Sequence, residues 1–205
     1  PVFADVNPHT LLIDPKDVER KITVRTRAII AMDYAGQPSD YRTLRQLADF
    51  HQLHLVSDAC HSLGASYRGA KVGTLADVSI FSLHPAKAMT TGEGGVAVTR
   101  DRELAAFMRR FRNHGIDTDH RTREQTGMWR YEMLDLGYNY RITDLQCALG
   151  ISQLKKLEAW IARRRNIAQR YDNAFAADSV IRPMRALADH DAGPGQGQQN
   201  LGQDR

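Results

Sequence analysis

Residues 54–99 read HLVSDACHSLGASYRGAKVGTLADVSIFSLHPAKAMTTGEGGVAVT, and their pattern decides the fold. Three short apolar runs stand in this stretch: His54-Leu55-Val56-Ser57, Asp77-Val78-Ser79-Ile80-Phe81-Ser82 and Gly95-Val96-Ala97-Val98-Thr99. Each has the length of a strand and is bounded by turn-forming residues. Upstream, Arg27-Ala28-Ile29-Ile30-Ala31-Met32 is a fourth run of the same kind, followed by a turn at Gly36-Gln37-Pro38-Ser39-Asp40. Between Tyr41 and His51, the residues Leu44, Leu47, Ala48 and Phe50 recur at helical spacing. A further helix over Asp101 to Arg112 puts Leu104, Ala105, Met108 and Phe111 on one face. Strand, helix and strand in succession predict an α/β fold, a mostly parallel sheet covered by helices. Strands this apolar predict burial on both sheet faces.

Outward from this core the signals change. Asp14-Pro15-Lys16-Asp17-Val18-Glu19 has an Asp N-cap and a Pro at the first helical position, which predicts a helix start after a loop-like opening. From Asn113 to Asp135 the chain is polar and irregular and reads as a long loop. Thr143-Asp144-Leu145-Gln146 is a capping box. It predicts one long helix to about Phe175, with Leu145, Leu149, Leu154, Leu157 and Ile161 as its apolar stripe. Ala188 to Arg205 contains Gly193-Pro194-Gly195-Gln196-Gly197 and almost no apolar side chains, so disorder is expected there. The expected division is 1–142 as the main domain, 143–177 as a long connecting helix, and 178–205 as a disordered tail. The chain opens on Pro1 and shows no secretory leader, which leads us to expect a piece of a longer chain.

Composition narrows the function classes. Of 205 residues, 42 % are apolar and 25 % charged, which excludes collagen-like, mucin-like and wholly disordered chains. No apolar run is long enough to predict a membrane span. The net charge of +4 is mild, and Lys and Arg are dispersed, so no nucleic-acid partner is expected. The dense patch at Arg163, Arg164 and Arg165 reads as a solvated helix face. Cys60 and Cys147 belong to no C-x-x-C pair, so neither a zinc site nor any other metal site is expected. Two distant thiols without a disulfide framework suit a reducing cytoplasm. Cys60 lies in Asp58-Ala59-Cys60-His61, yet an inert, buried thiol is the better reading than a nucleophile.

Residues 58–95 carry the chemistry. Asp58 and Ser82 each close a strand, and open α/β sheets bind ligands at the carboxyl ends of their strands. Lys87 follows in a loop that continues into Thr90-Thr91-Gly92-Glu93-Gly94-Gly95. That loop lacks the Gly-Lys-Ser/Thr ending of a Walker loop and the strand-to-helix setting of a dinucleotide fingerprint. Singly, an Asp after a strand is usually a cap and a loop Lys usually a surface residue. Together, a carboxylate, a hydroxyl and an amine in this order are what a pyridoxal phosphate site requires. The amine forms a Schiff base with the cofactor aldehyde, the carboxylate keeps the pyridine nitrogen protonated, and hydroxyl donors hold the phosphate.

Several blocks of the chain resemble the DegT-type sugar aminotransferases, which are fold type I pyridoxal phosphate enzymes. The blocks are Asp58-Ala59-Cys60-His61-Ser62-Leu63-Gly64-Ala65, Phe81-Ser82-Leu83-His84-Pro85-Ala86-Lys87, Thr90-Thr91-Gly92-Glu93-Gly94-Gly95, Phe111-Arg112-Asn113-His114-Gly115 and Leu136-Gly137-Tyr138-Asn139-Tyr140-Arg141-Ile142-Thr143-Asp144. The resemblance runs over roughly residues 1–185. With Trp129-Arg130-Tyr131-Glu132-Met133-Leu134-Asp135 it is most similar to the branch of UDP-4-amino-4,6-dideoxy-N-acetyl-β-L-altrosamine transaminases of pseudaminic acid biosynthesis.

The resemblance implies a three-layer large domain, incomplete here at both ends. It implies that Lys87 is the Schiff-base lysine and Asp58 the carboxylate on the pyridine nitrogen. His61 would contact the cofactor ring or its hydroxyl, and Ser82 the phosphate. Asn139 would reach the phosphate of a neighbouring subunit's cofactor, so a homodimer with shared active sites is implied. The implied reaction moves the amino group of L-glutamate onto the 4-keto group of a nucleotide-linked 6-deoxysugar for surface glycans. Lys87 argues against the family's dehydratases, which carry His at that position. The alternative is a non-catalytic or inactive truncated relative serving as a sensor or scaffold.

Overall fold

In chain order the elements are α1 (Pro15–Lys21), β1 (Ala28–Met32), α2 (Tyr41–Phe50), β2 (His54–Asp58), β3 (Ser66–Tyr67), β4 (Ala70–Lys71), β5 (Val78–Ser82), β6 (Gly95–Val98), α3 (Arg102–Phe111), α4 (His120–Thr126), α5 (Asp144–Leu154), α6 (Leu157–Phe175) and β7 (His190–Asp191). They are seen in a computed structural model that describes residues 1–118, 120–181, 183–184, 187 and 190–191. The main sheet has the order β1-β2-β5-β6. The first three strands are parallel, and β6 returns antiparallel to β5. The predicted strands and helices are present, and the chain has the mostly parallel, helix-flanked sheet of an α/β fold.

Helix starts follow the sequence signals. The Asp14 carboxylate accepts the Lys16 N–H at 2.9 Å, with Pro15 in the first turn. Asp101 accepts the N–H groups of Glu103 and Leu104, at 2.8 and 3.1 Å. Thr143 and Gln146 form the reciprocal capping box. Each cap supplies acceptors for N–H groups that the first helical turn leaves unpaired.

One sheet face is covered by α1 and α2. Val18, Ile29, Ala31, Tyr41, Leu44, Ala48, Leu53, Leu55 and Tyr67 form the core beneath them. Burial on both faces, expected from the apolar strands, is met on this face only. Ile30, Met32, Ile80 and Val96 point the other way and are exposed, because no described helix packs over them.

Three further differences have local causes. The single long helix is two helices. At Lys155-Lys156 the last turn of α5 tightens, with the Lys156 N–H donating to the Gln153 carbonyl at 2.9 Å. The redirected α6 buries Leu157 and Ile161 against Leu83, Ala88 and Met89. The polar stretch after Asn113 contains α4 and is closed by bridges from Ile116 to Met133 and from Asn113 to Asn139. The hairpin β3–β4, two residues a strand, is too short for a periodicity. Its turn is made by Arg68 and Gly69, both with positive φ (52° and 80°), the backbone of a tight two-residue hairpin.

The tail expected from 188 onward lies outside the described residues, except for His190–Asp191. Those two pair antiparallel with β3. The Leu187 N–H just before them donates to the Gln37 amide oxygen at 2.9 Å.

Candidate functional site

The parallel register brings Asp58, Ile80 and Met32 side by side at the carboxyl end of the sheet. Asp58 is half-buried. Its Oδ1 accepts the Cys60 N–H at 3.2 Å. Three residues past the end of β2, His61 lies against Tyr34, with ring centroids 6.3 Å apart and planes at 59°. The His61 Nδ1 is buried and has no partner among the described residues. Burial pulls the imidazole pKa below its ordinary value, and the Lys87 charge adds to this while Asp58 opposes it. His61, Asp58 and Lys87 therefore share one electrostatic neighbourhood.

Ser82 ends β5 opposite Gly95 and accepts the His84 N–H at 3.3 Å. From there the chain loops out through Lys87 and returns at Gly94, whose carbonyl accepts the Leu83 N–H at 2.9 Å. The loop is built by its own polar groups. Ala86 N–H donates to His84 Nδ1 (3.1 Å), Lys87 N–H to the His84 carbonyl (2.9 Å), and Thr91 Oγ1 to the Glu93 carbonyl (2.8 Å). Gly94 is required here, since it has φ +155° and a Cβ would stand 2.5 Å from Thr91 Oγ1.

Helices α5 and α6 strap the loop from outside. The Gln146 amide donates to the Glu93 carbonyl (2.9 Å), Gln153 Oε1 accepts the Thr90 N–H (3.4 Å), and the Arg164 guanidinium donates to the Ala88 carbonyl (3.1 Å). Gly150 lets α5 approach closely, because a Cβ there would meet Thr91 Cγ2 at 2.9 Å. Arg164 is thus a structural donor and not wholly a solvated side chain. With Arg163, Trp160 and Gln153 it lines a cavity of about 310 Å³ on the outer side of the loop, of which Lys87 is also a wall.

The structure thus gathers Asp58, His61, Ser82 and Lys87 at one end of the sheet. Asn139 stands apart from this group in the fold: it is exposed and bridged to Asn113. Cys60 behaves as an inert thiol. Burial, then the hydrogen bond to Asp58 and its charge, push its pKa up to about 11, so it stays protonated at neutral pH.

Sequence reading passed over Asp33, one residue beyond β1. It is fully buried, and its N–H donates to the Asp58 carbonyl at 3.0 Å. The signal that marked Asp58, a carboxylate closing an apolar strand, is present at Asp33 too. Gln146, Gln153 and Arg164 were also missed, because nothing local ties a helix side chain to a loop more than fifty residues earlier.

Comparison with known proteins finds relatives of one family. Residues 1–196 match the DegT/DnrJ/EryC1/StrS aminotransferase family. The UDP-4-amino-4,6-dideoxy-N-acetyl-beta-L-altrosamine transaminase of Campylobacter jejuni is 40 % identical over 166 residues, 80 % of this chain and 42 % of that protein. Among solved structures, Helicobacter pylori PseC, an aminotransferase involved in the biosynthesis of pseudoaminic acid, superposes with a TM-score of 0.88 at 35 % identity. That match covers 95 % of this chain and 50 % of PseC. A sugar aminotransferase from Streptococcus pneumoniae, solved in PLP-, PMP- and apo-forms, gives a TM-score of 0.85 at 30 % identity in its PMP-form, over 94 % of this chain and 53 % of that one. The chain spans about half the length of the relatives it matches.

Proposed function

The chain belongs to the DegT/DnrJ/EryC1/StrS aminotransferase family, and from that membership we propose that it forms the cofactor-binding part of a pyridoxal-phosphate-dependent sugar aminotransferase. The reaction moves the amino group of L-glutamate onto the 4-keto group of a nucleotide-linked 6-deoxysugar, with a UDP-sugar favoured by the Campylobacter relative. The observation that carries this is the strand-end cluster. It offers the half-buried Asp58 carboxylate, an unpartnered buried nitrogen on His61, the Ser82 hydroxyl and the Lys87 amine. These donors and acceptors suit the cofactor's ring nitrogen, ring substituents, phosphate and carbonyl carbon, in that set.

Bound pyridoxal phosphate supplies a carbonyl carbon for the amine and a protonated ring that draws electrons from the carbon being deprotonated. The Asp58 carboxylate would hold the proton on the ring nitrogen. His61, whose pKa burial and the Lys87 charge lower, would meet the ring without adding a second cation. The Ser82 hydroxyl would donate to the phosphate. The Lys87 amine would hold the cofactor and would serve as the general acid and base for the proton at Cα of the amino donor. The straps from Gln146, Gln153 and Arg164 limit how far the Lys87 loop can drift.

Asn139 is exposed in its own chain, and the reading has it serve the cofactor phosphate of a neighbouring copy in a homodimer with shared sites. No described helix is long and apolar enough to cross a membrane, and the proposed location is the cytoplasm, where nucleotide sugars are made.

The test supplies the full-length protein with pyridoxal phosphate, L-glutamate and a UDP-linked 4-keto-6-deoxysugar. Equal amounts of 2-oxoglutarate and 4-amino sugar nucleotide are expected, and neither with Lys87→Ala. No transfer by the cofactor-loaded parent to any nucleotide-linked 4-keto sugar would overturn the reading.

A further inference from the structure

We propose that Asp33 is a positioning residue for the cofactor site: its buried carboxylate bolts together the two backbone segments that present Asp58 and His61. The inference rests on the reading of those two side chains as cofactor-facing.

Asp33 has no exposed surface. Its Oδ1 accepts the Ser39 N–H at 2.9 Å and the Tyr41 hydroxyl at 2.7 Å. Its Oδ2 accepts the Ser62 hydroxyl at 2.6 Å. The Tyr41 oxygen also lies 2.5 Å from Ser57 Oγ. With its one proton given to Asp33, Tyr41 takes its second bond from the Ser57 hydroxyl. The partners are neighbours of the site residues: Ser57 precedes Asp58, and Ser62 follows His61. Successive strand side chains face opposite ways, so Ser57 turns back to Asp33 as Asp58 turns out to the ligand side. The Asp33 N–H closes the arrangement on the Asp58 carbonyl at 3.0 Å. One carboxylate thus anchors β2 through Tyr41 and Ser57, the turn after β2 through Ser62, and the N-terminus of α2 through Ser39 and Tyr41.

The bolt has no countercharge. Among the described residues no Lys, Arg or His touches the Asp33 carboxylate. The titratable groups acting on it are Tyr41 from α2 and Asp58 from β2, and neither is a cation. Burial outweighs the three donated hydrogen bonds and pushes its pKa up to about 6. On protonation one Asp33 oxygen becomes a donor, so the hydrogen bonding to at least one of its three partners must rearrange. The Ser62 hydroxyl then has the Ala59 carbonyl, 3.4 Å away, as its alternative acceptor. The hydrogen bonding beside His61 therefore follows the charge on Asp33.

The experiment uses the full-length protein and reads cofactor binding, not turnover. Asp33→Asn keeps an acceptor for Ser39 and Tyr41, places an amide donor against Ser62 and removes the charge. The dissociation constant for pyridoxal phosphate is measured by absorbance titration at a series of pH values on either side of 6, with near-ultraviolet circular dichroism as the control for folding. The difference between the parent and variant profiles separates Asp33 from His61 and from the cofactor's own groups. We expect the parent's affinity to change as the pH crosses the Asp33 transition and the variant's to lack that step. Above the transition, Asp33→Asn binds about tenfold more weakly, and Ser62→Ala about threefold. Folded Asp33→Asn with the parent's affinity and pH profile overturns the inference. If Asp33→Asn does not fold, Ser62→Ala and Tyr41→Phe decide: weaker binding by both supports the bolt, and parent-like binding by both folded variants overturns it. A parent that binds no pyridoxal phosphate refutes the cofactor reading itself, and this inference with it.

Discussion

Replacing Asp33 by asparagine in the 205-residue chain removes a buried charge and keeps the shape of the side chain. Burial raises the Asp33 pKa from 3.8 to about 6 on folding. Below the unfolded value the acid is protonated in both states, and its favourable contribution is complete. As the pH rises the unfolded chain ionises first, and the contribution is lost through the folded pKa. Two pH units of difference correspond to about 3 kcal/mol of stability lost between about pH 4 and about pH 7. The variant has no such group. Its stability relative to the parent is therefore expected to climb by about 2–3 kcal/mol over that interval and to level off above it. Urea unfolding followed by Trp129 and Trp160 fluorescence, at several pH values, measures the difference. A flat difference would show that Asp33 does not change its proton affinity on folding. A difference that falls with pH would show that Asp33 is held by a countercharge, contrary to the network seen here.

Three other substitutions have expected outcomes. Leu55→Ala opens a cavity in the fully buried centre of β2 and should cost about 2–5 kcal/mol in urea unfolding. Gly115→Ala should lower the melting temperature sharply or leave the chain insoluble, because its Cβ would stand 1.8 Å from the Asp135 carbonyl oxygen at a φ of +70°. Asp101→Ala removes the acceptor for two N–H groups at the start of α3 and should cost about 1 kcal/mol, read by the same denaturation.

What was legible in the sequence was whatever is written locally. The strands at Ala28–Met32, His54–Asp58 and Val78–Ser82 stand out as apolar runs, and Asp14, Asp101 and Thr143 announce their helices in the next two or three residues. The grouping of Asp58, Ser82 and Lys87 was readable because strand ends in a parallel sheet share one side. The break at Lys155-Lys156 was not, since both flanking segments are good helix and only the tertiary contacts of Leu157 and Ile161 require the redirection. The exposed face of Ile30 and Ile80 was not, since an apolar strand looks the same whether or not a helix covers it. Asp33 carries the same strand-closing carboxylate as Asp58, but its burial is not legible: its partners at positions 39, 41 and 62 are hydroxyls and an amide, which carry no charge pattern.

The most direct test of the account is chemical. The full-length protein is loaded with pyridoxal phosphate, reduced with borohydride to fix the cofactor carbon to the amine that holds it, and digested with trypsin. A modified lysine resists cleavage, so the account expects the cofactor mass on one peptide, residues 72–100, with Lys87 as the modified position. Cofactor fixed to another lysine, or to none, would contradict it.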